Sequence, residues 1–230
     1  MLSDIHGFTL ALDAVLADID SVGVDRIIAA GDLCEAGPDP VGVLDRLAAR
    51  GIEAIQGNTD RDIGNGVRTS ATARYTMQML GEDGLRTLRE LPFSIRVTPP
   101  DGSSPEDDLL VVHANPFDQD QKLDPNASDR EIRALLGDTQ AAVIAFGHIH
   151  ISYTRQVDEH LLVDVAAVGN PKDGDFRPRW GLFTWNAEAH AWSVETRYVD
   201  YPLDETIAQI DASGLPNSNK AIAKLIRASY

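Results

Sequence analysis

Five short blocks between Asp4 and His150 hold the residues best suited to chemistry: Asp4-Ile5-His6, Gly31-Asp32, Gly57-Asn58-Thr59-Asp60, His113 and Gly147-His148-Ile149-His150. Imidazole nitrogen, carboxylate oxygen and carboxamide oxygen together suit divalent first-row cations, and this donor set does not distinguish Mn, Fe, Zn or Ni. Taken singly each block is weak, because Gly-Asp and Gly-Asn are ordinary turn dipeptides and a lone histidine is most often a hydrogen-bonded core residue. Their common placement is the stronger signal. Each follows a short strand-like run, and ligands of α/β folds gather outside the carboxyl ends of strands. Asp4 and His6, two residues apart, can turn toward one ion if Gly7 lets the chain swing away. Asp32, on the neighbouring strand end, is placed to bridge to a second ion. His148 and His150 can divide between the two, with Asn58 and His113 completing the second.

The elements that must position these blocks follow from periodicity. Leu12, Val15, Leu16 and Ile19 predict a helix over 8–21, and residues 26–30 a buried strand ending at Gly31-Asp32. Pro38 and Pro40 suit the entry to a helix that Gly51 stops, and a short strand over 53–56 leads to Gly57-Asn58. A loop at 61–68 is expected next, then helical pieces over 69–80 and 84–91. Strands over 93–97 and 109–112 follow, the second delivering His113. Ser128 and Glu131 form a capping-box pattern for a helix through Leu136, and residues 142–146 form the strand before Gly147-His148. Beyond it the pattern predicts hairpins 152–157/161–165 and 182–185/192–198, with His160 and His190 as surface residues near their turns. Two helices, 203–211 and 218–229, close the chain. β/α alternation followed by antiparallel pairs predicts an α/β fold with two sheets between helices. The expected organisation is one domain, 1–201, carrying a helical appendage, 202–230, on its outside.

Composition narrows the partners. At 230 residues and 25.0 kDa a single core suffices, and a formal charge of −16 disfavours general nucleic-acid binding. Two divalent cations in one cleft would reverse that field locally and draw a phosphate in. No apolar run approaches the ~20 residues that span a bilayer, so no membrane association is expected. The single Cys34 and the lack of a leader-like start point to the cytoplasm. The oligomeric state is left open.

In their order the five blocks resemble the calcineurin-like metallophosphoesterase superfamily, whose signature runs D-x-H, G-D, G-N-H-[DE], H and G-H-x-H. The likeness covers Asp4 to His150, and the stretch from Gly31 through Pro40 is similar to the small bacterial phosphoesterases. The resemblance implies a four-layer αββα sandwich of two mixed sheets flanked by helices. It also implies a dinuclear centre, with Asp4, His6 and His150 on one ion, Asn58, His113 and His148 on the other, and Asp32 bridging. A hydroxide shared by the ions would then attack phosphorus in line, making the chain a phosphodiesterase or phosphatase for a small, nucleotide-like substrate. Asp32, Asn58, Thr59 and Asp60 are the expected catalytic residues; Arg61, Lys172 and Arg177, with Arg179 nearby, are candidate grips for the substrate phosphate. The alternative is a member of this fold that serves as a protein-interaction module with a weakened centre.

Two departures from the pattern carry expectations. Thr59 stands where the family often has a histidine thought to protonate the leaving group. Only Met1 and Leu2 precede Ser3, so the first strand is expected to be truncated, either because the chain starts late or because the true start lies upstream, with Asp4 and His6 poorly supported.

Overall fold

A computed structural model describes residues 1–229; Tyr230, the last residue of the expected appendage, lies outside them. In chain order the elements are α1 (Thr9–Val22), β1 (Ile28–Ala29), α2 (Pro40–Ala49), β2 (Glu53–Ala54), α3 (Asn58–Gly64), α4 (Ala71–Glu90), β3 (Ile95–Val97), β4 (Leu109–Val111), α5 (Asp129–Leu136), β5 (Val143–Phe146), β6 (Tyr153–Val157), β7 (His160–Asp164), β8 (Arg179–Asn186), β9 (Ala191–Tyr198), α6 (Leu203–Ala212) and α7 (Ser218–Arg227). Local chemistry sets several boundaries. Asp39 caps α2 through the Gly42 amide, with Pro40 in its first turn, and Ser128 and Glu131 close the expected capping box on α5.

Three separate apolar cores divide the molecule into layers. β3-β4-β5-β7-β6 form a mixed five-stranded sheet, while β1-β2 and β8-β9 pair as two shorter ones. Side chains alternate across each strand, so Val111 and Ala145 face Ile28, Ala30 and Ile55 in a core between the sheets. Their neighbours Val112, Ile144 and Phe146 face Ile132 and Leu136 of α5. On the far side, Leu2 and Ala29 meet Leu12, Val15 and Ile19 of α1, together with residues of α2, α4, α6 and α7. Helices, sheet, sheet and helix therefore follow one another, as the sequence predicts.

Met1–Ser3 occupies the slot between β1 and β8. The Leu2 amide donates to Ile28 O at 3.0 Å, Leu2 O accepts from Ala30 at 2.8 Å, and the Gly181 amide donates to Met1 O at 2.9 Å. This segment makes a single bridge, Leu2 to Ala29, and its hydrogen bonds join β1-β2 to β8-β9. Beyond Met1 a cavity of about 720 Å³ opens between the same edges, lined by Phe183, Trp185 and Trp192 among others, and it holds none of the candidate ligands.

The two helical pieces expected over 69–91 are present as the two halves of α4, separated at Gly81, whose φ of 59° and ψ of −174° are not helical. Three expectations are corrected. Residues 61–64 are not loop, because α3 begins at Asn58 itself, with Asp60 in its first turn. β8 begins three residues early, at Arg179. His160 is buried, because β7 starts there and its Nδ1 bonds Ala141 O at 2.7 Å; His190 remains exposed and pairs with Asp107. The closing helices sink Ile210 and Leu225 into the same core as Leu2. Among the described residues no helix is long and apolar enough to cross a membrane.

Candidate metal centre

All seven predicted ligands converge on one cleft. His6 Nε2 lies 3.1 Å from His150 Nε2, and Asp4 Oδ1 is 3.2 Å from His150 Nε2 and 3.7 Å from His6 Nε2. Beside this group His113 Nε2 stands 3.1 Å from Asn58 Oδ1, 3.2 Å from His148 Nδ1 and 3.4 Å from Asp32 Oδ1. The other Asp32 oxygen faces His6 Nε2 at 3.8 Å. Asp32 therefore belongs to both groups.

The tautomers of three histidines are set from behind. His6 Nδ1 bonds Glu35 O at 2.8 Å, His150 Nδ1 bonds Asn170 O at 2.7 Å, and His113 Nδ1 bonds Ala30 O at 2.9 Å. A carbonyl can only accept, so each Nδ1 carries the proton and each Nε2 turns a lone pair into the cleft. Two such lone pairs at 3.1 Å, beside a buried Asp4 Oδ1 with no hydrogen-bond partner, are acceptors without a donor. A cation satisfies all three. Separations of 3.1–3.8 Å match neighbouring ligands around an ion with bonds of ~2.1 Å, so the donor set fits divalent metal.

At His6 and His148 charge agrees with this fit. Burial and the adjacent His150 lower the His6 pKa to about 4, and burial with His113 lowers that of His148, so both rings are neutral near pH 7. Burial opposes ionisation of Asp4, yet the surrounding histidines hold it far below the usual carboxylate range. Burial likewise opposes a cationic His113, but Asp32 and Asp4 hold its pKa above the ordinary value.

Backbone conformation is unusual where the ligands sit. Asp4, His6, Asp32, His148 and His150 all have positive φ, between 52° and 71°. That region costs a residue with a side chain roughly 1–2 kcal/mol, and it persists only where surrounding bonds enforce it. Here the Asp4 amide donates to Gly31 O, the His6 amide to Asp32 O, and Asp4 O accepts from Gly169. Ser3 Oγ and the His148 amide both donate to Asp4 Oδ2. The expected lack of support for Asp4 and His6 is therefore corrected: neighbouring loops supply what a longer strand would.

Two glycines are required by contact. A Cβ on Gly57 would overlap Asp32 Oδ1 and the Asp32 amide, and one on Gly147 would overlap Asp4 Oδ2 and Ser3 Oγ. Gly57→Ala is expected to displace the Asp32 carboxylate and lower divalent-metal affinity by about tenfold to a hundredfold, read by metal titration. Unchanged affinity would contradict the closeness of the two turns.

The remaining predicted residues add no donor atom to either group. The Thr59 amide donates to Asp32 Oδ1 at 2.9 Å, while its hydroxyl is buried without a partner. Asp60 accepts from the Leu33 and Gly57 amides at 2.9 and 3.0 Å, tying the Asp32 turn to the Asn58 turn. Burial and the Asp32 charge push its pKa up to about 7. Arg61, one turn beyond Asn58 on α3, pairs with Asp62 and Asp120. Lys172 is anchored by its amide to His150 O at 3.0 Å, and its ammonium feels Asp4 and Asp32. Arg177 is turned elsewhere, onto Asp175 and the Tyr198 ring, and Arg179 is buried against Asp173. Glu35, Asn170 and Ala30, whose carbonyls orient the histidines, escape sequence reasoning because any residue type offers a carbonyl.

Comparison with known proteins agrees with this geometry. An uncharacterised protein of Methanocaldococcus jannaschii is 23% identical, covering 94% of this chain and 93% of its own. A metallophosphoesterase structure from Sphaerobacter thermophilus superposes with a TM-score of 0.79 at 24% identity, covering 99% of this chain and 98% of that one. A hypothetical protein from Pyrococcus horikoshii gives 0.81 at 19% identity, over 99% and 97% of the two chains. The model of the calcineurin-like phosphoesterase superfamily domain matches residues 1–184, and with the ligand blocks inside that span the chain belongs to this superfamily of phosphoester hydrolases.

Proposed function

We propose that the chain hydrolyses a phosphodiester or phosphomonoester of a small phosphorylated molecule at a two-ion centre, within a domain of residues 1–201 carrying 202–230 as a helical appendage. The observation that supports this most is the pair of Nε2 lone pairs 3.1 Å apart beside the orphaned Asp4 Oδ1. Asp4, His6 and His150 would hold one divalent ion, Asn58, His113 and His148 the other, and Asp32 would serve both. Bound there, such ions supply Lewis acidity toward phosphoryl oxygens and lower the pKa of coordinated water.

The chain's own residues do the rest. The carbonyls of Glu35, Asn170 and Ala30 keep the rings oriented, and Asp60 holds the two ligand-bearing turns at fixed separation. Arg61, three residues after Asn58 on α3, and Lys172, whose amide donates to His150 O, would be the cations for the non-bridging oxygens of a phosphate. No histidine is left over to protonate a leaving group: four of the six are in the ligand set, His160 is buried at the start of β7, and His190 is on Asp107.

Purified protein is expected to hydrolyse bis-p-nitrophenyl phosphate or p-nitrophenyl phosphate with added Mn²⁺, and to lose this turnover with a chelator. Inertness with Mn, Fe, Co, Ni and Zn alike would overturn the enzyme reading in favour of an interaction module.

A further inference from the structure

Asp4 is fully buried, so its two carboxylate oxygens draw their solvation from the protein, and they draw it unequally. Oδ2 accepts from the Ser3 hydroxyl at 2.7 Å and from the His148 amide at 2.9 Å. Oδ1, the oxygen that faces His6 and His150, has no hydrogen-bond partner. Adjacent residues of a strand point to opposite faces, so a hydroxyl at position 3 would ordinarily be turned away from a carboxylate at position 4. The φ of 52° at Asp4 breaks that alternation and brings the carboxylate back onto Ser3.

The hydroxyl has little freedom. Ser3 O accepts from the Val168 amide at 2.9 Å, Leu2 is bonded to Ile28 and Ala30 just before it, and a Cβ on Gly147 would overlap Ser3 Oγ. A second acceptor, Ala30 O, lies 3.3 Å from the hydroxyl but already takes the Nδ1 proton of His113 at 2.9 Å. Offered a carboxylate oxygen at 2.7 Å and a carbonyl oxygen at 3.3 Å, the hydroxyl proton goes to the carboxylate, because a charge-assisted bond is the shorter and stronger one. Ser3 is itself buried, so bulk water does not compete for this bond.

We propose that Ser3 is a positioning residue of the metal centre: with the His148 amide, its hydroxyl holds Asp4 Oδ2 and so reserves Oδ1 for the divalent ion shared with His6 and His150. This rests on the two-ion reading above. Without the hydroxyl, Oδ2 keeps a single donor, the carboxylate turns more freely about its Cβ–Cγ bond, and the oxygen presented to His6 and His150 is no longer fixed. A hydrogen-bond partner behind a metal ligand is worth typically ~10–100-fold in metal affinity. The effect falls on one ion, since His113, on the other, is oriented by Ala30 O.

Titration of the metal-free protein with Co²⁺, followed by calorimetry and by the visible absorption of the bound ion, tests this without turnover. Ser3→Ala is expected to weaken uptake of one Co²⁺ by about tenfold to a hundredfold and to alter its absorption band, with circular dichroism unchanged. Ser3→Cys, whose thiol is a weak donor, should lie between Ser3→Ala and wild type. Thr76→Val, which removes a buried hydroxyl that has no partner, should titrate as wild type. Because Ser3 acts through Asp4, adding Ser3→Ala to Asp4→Ala should move the remaining Co²⁺ affinity by less than about threefold. Wild-type affinity in Ser3→Ala overturns the proposal, and so does a loss that recurs in full on the Asp4→Ala background, the mark of a generally loosened fold. Should Ser3→Ala not fold, Ser3→Cys decides by the same titration, where wild-type affinity and absorption overturn the proposal. The expected Co²⁺ pattern without turnover of bis-p-nitrophenyl phosphate upholds the role of Ser3 and fails only the hydrolase reading. A wild type that takes up no divalent ion overturns the role together with the metal centre.

Discussion

Asp32→Ala is expected to lower Mn²⁺-dependent hydrolysis of bis-p-nitrophenyl phosphate by about 10⁴-fold, roughly 5 kcal/mol of barrier at 1.36 kcal/mol per decade. Asp32 faces both halves of the cleft, with Oδ1 3.4 Å from His113 Nε2 and Oδ2 3.8 Å from His6 Nε2. Its Oδ1 also accepts the Thr59 amide at 2.9 Å, which fixes the first turn of α3 and with it Asn58. Alanine removes a ligand common to two ions, a negative charge and a positioning bond together. Asp32→Asn separates these contributions: it can still accept from Thr59, so Asn58 stays in place, but it cannot offer a charged oxygen to each side. Steady-state rates and bound metal per chain should fall steeply in both variants, with circular dichroism unchanged. Activity within tenfold of wild type in Asp32→Ala would show that the reaction does not run through this cleft.

The rate should also depend more steeply on the leaving group than in relatives that carry a histidine at position 59. A positioned general acid contributes typically ~10²–10⁴-fold to expulsion of a poor leaving group, and little to expulsion of a good one. Thr59 cannot supply the proton near neutral pH, and its hydroxyl is buried without a partner. Asp60 is committed to two backbone amides, and the remaining histidines are distant in the fold. p-Nitrophenyl esters should therefore outrun alkyl esters by a further ~10²–10⁴-fold compared with a histidine-bearing member assayed identically. The natural substrate would then be an aryl ester, a phosphoanhydride or a cyclic ester. Equal leaving-group slopes in the two proteins would mean that another group delivers the proton.

Periodicity and motif order were enough for a large part of this protein. Leu12, Val15, Leu16 and Ile19 mark α1 because a buried helix face must recur every three to four residues. The continuous apolar runs before His113 and Gly147 mark strands because both of their faces are buried. All seven donors could be named because metal chemistry restricts which side chains serve, whatever holds them.

What holds them was decided by tertiary structure alone. Residue type does not announce that Asp4, His6, Asp32, His148 and His150 take positive φ, since each pays that cost only because amides and carbonyls from distant segments compensate it. The tautomers of His6, His113 and His150 rest on the carbonyls of Glu35, Ala30 and Asn170, groups that every residue has and that only the fold can aim. Lys172 and Arg177 look alike as loop cations, yet one is drawn toward Asp4 and Asp32 and the other onto Asp175. Short-range pattern records which face of an element is buried. Which cation meets which anion depends on how the faces of different elements are brought together, and only long-range packing specifies that.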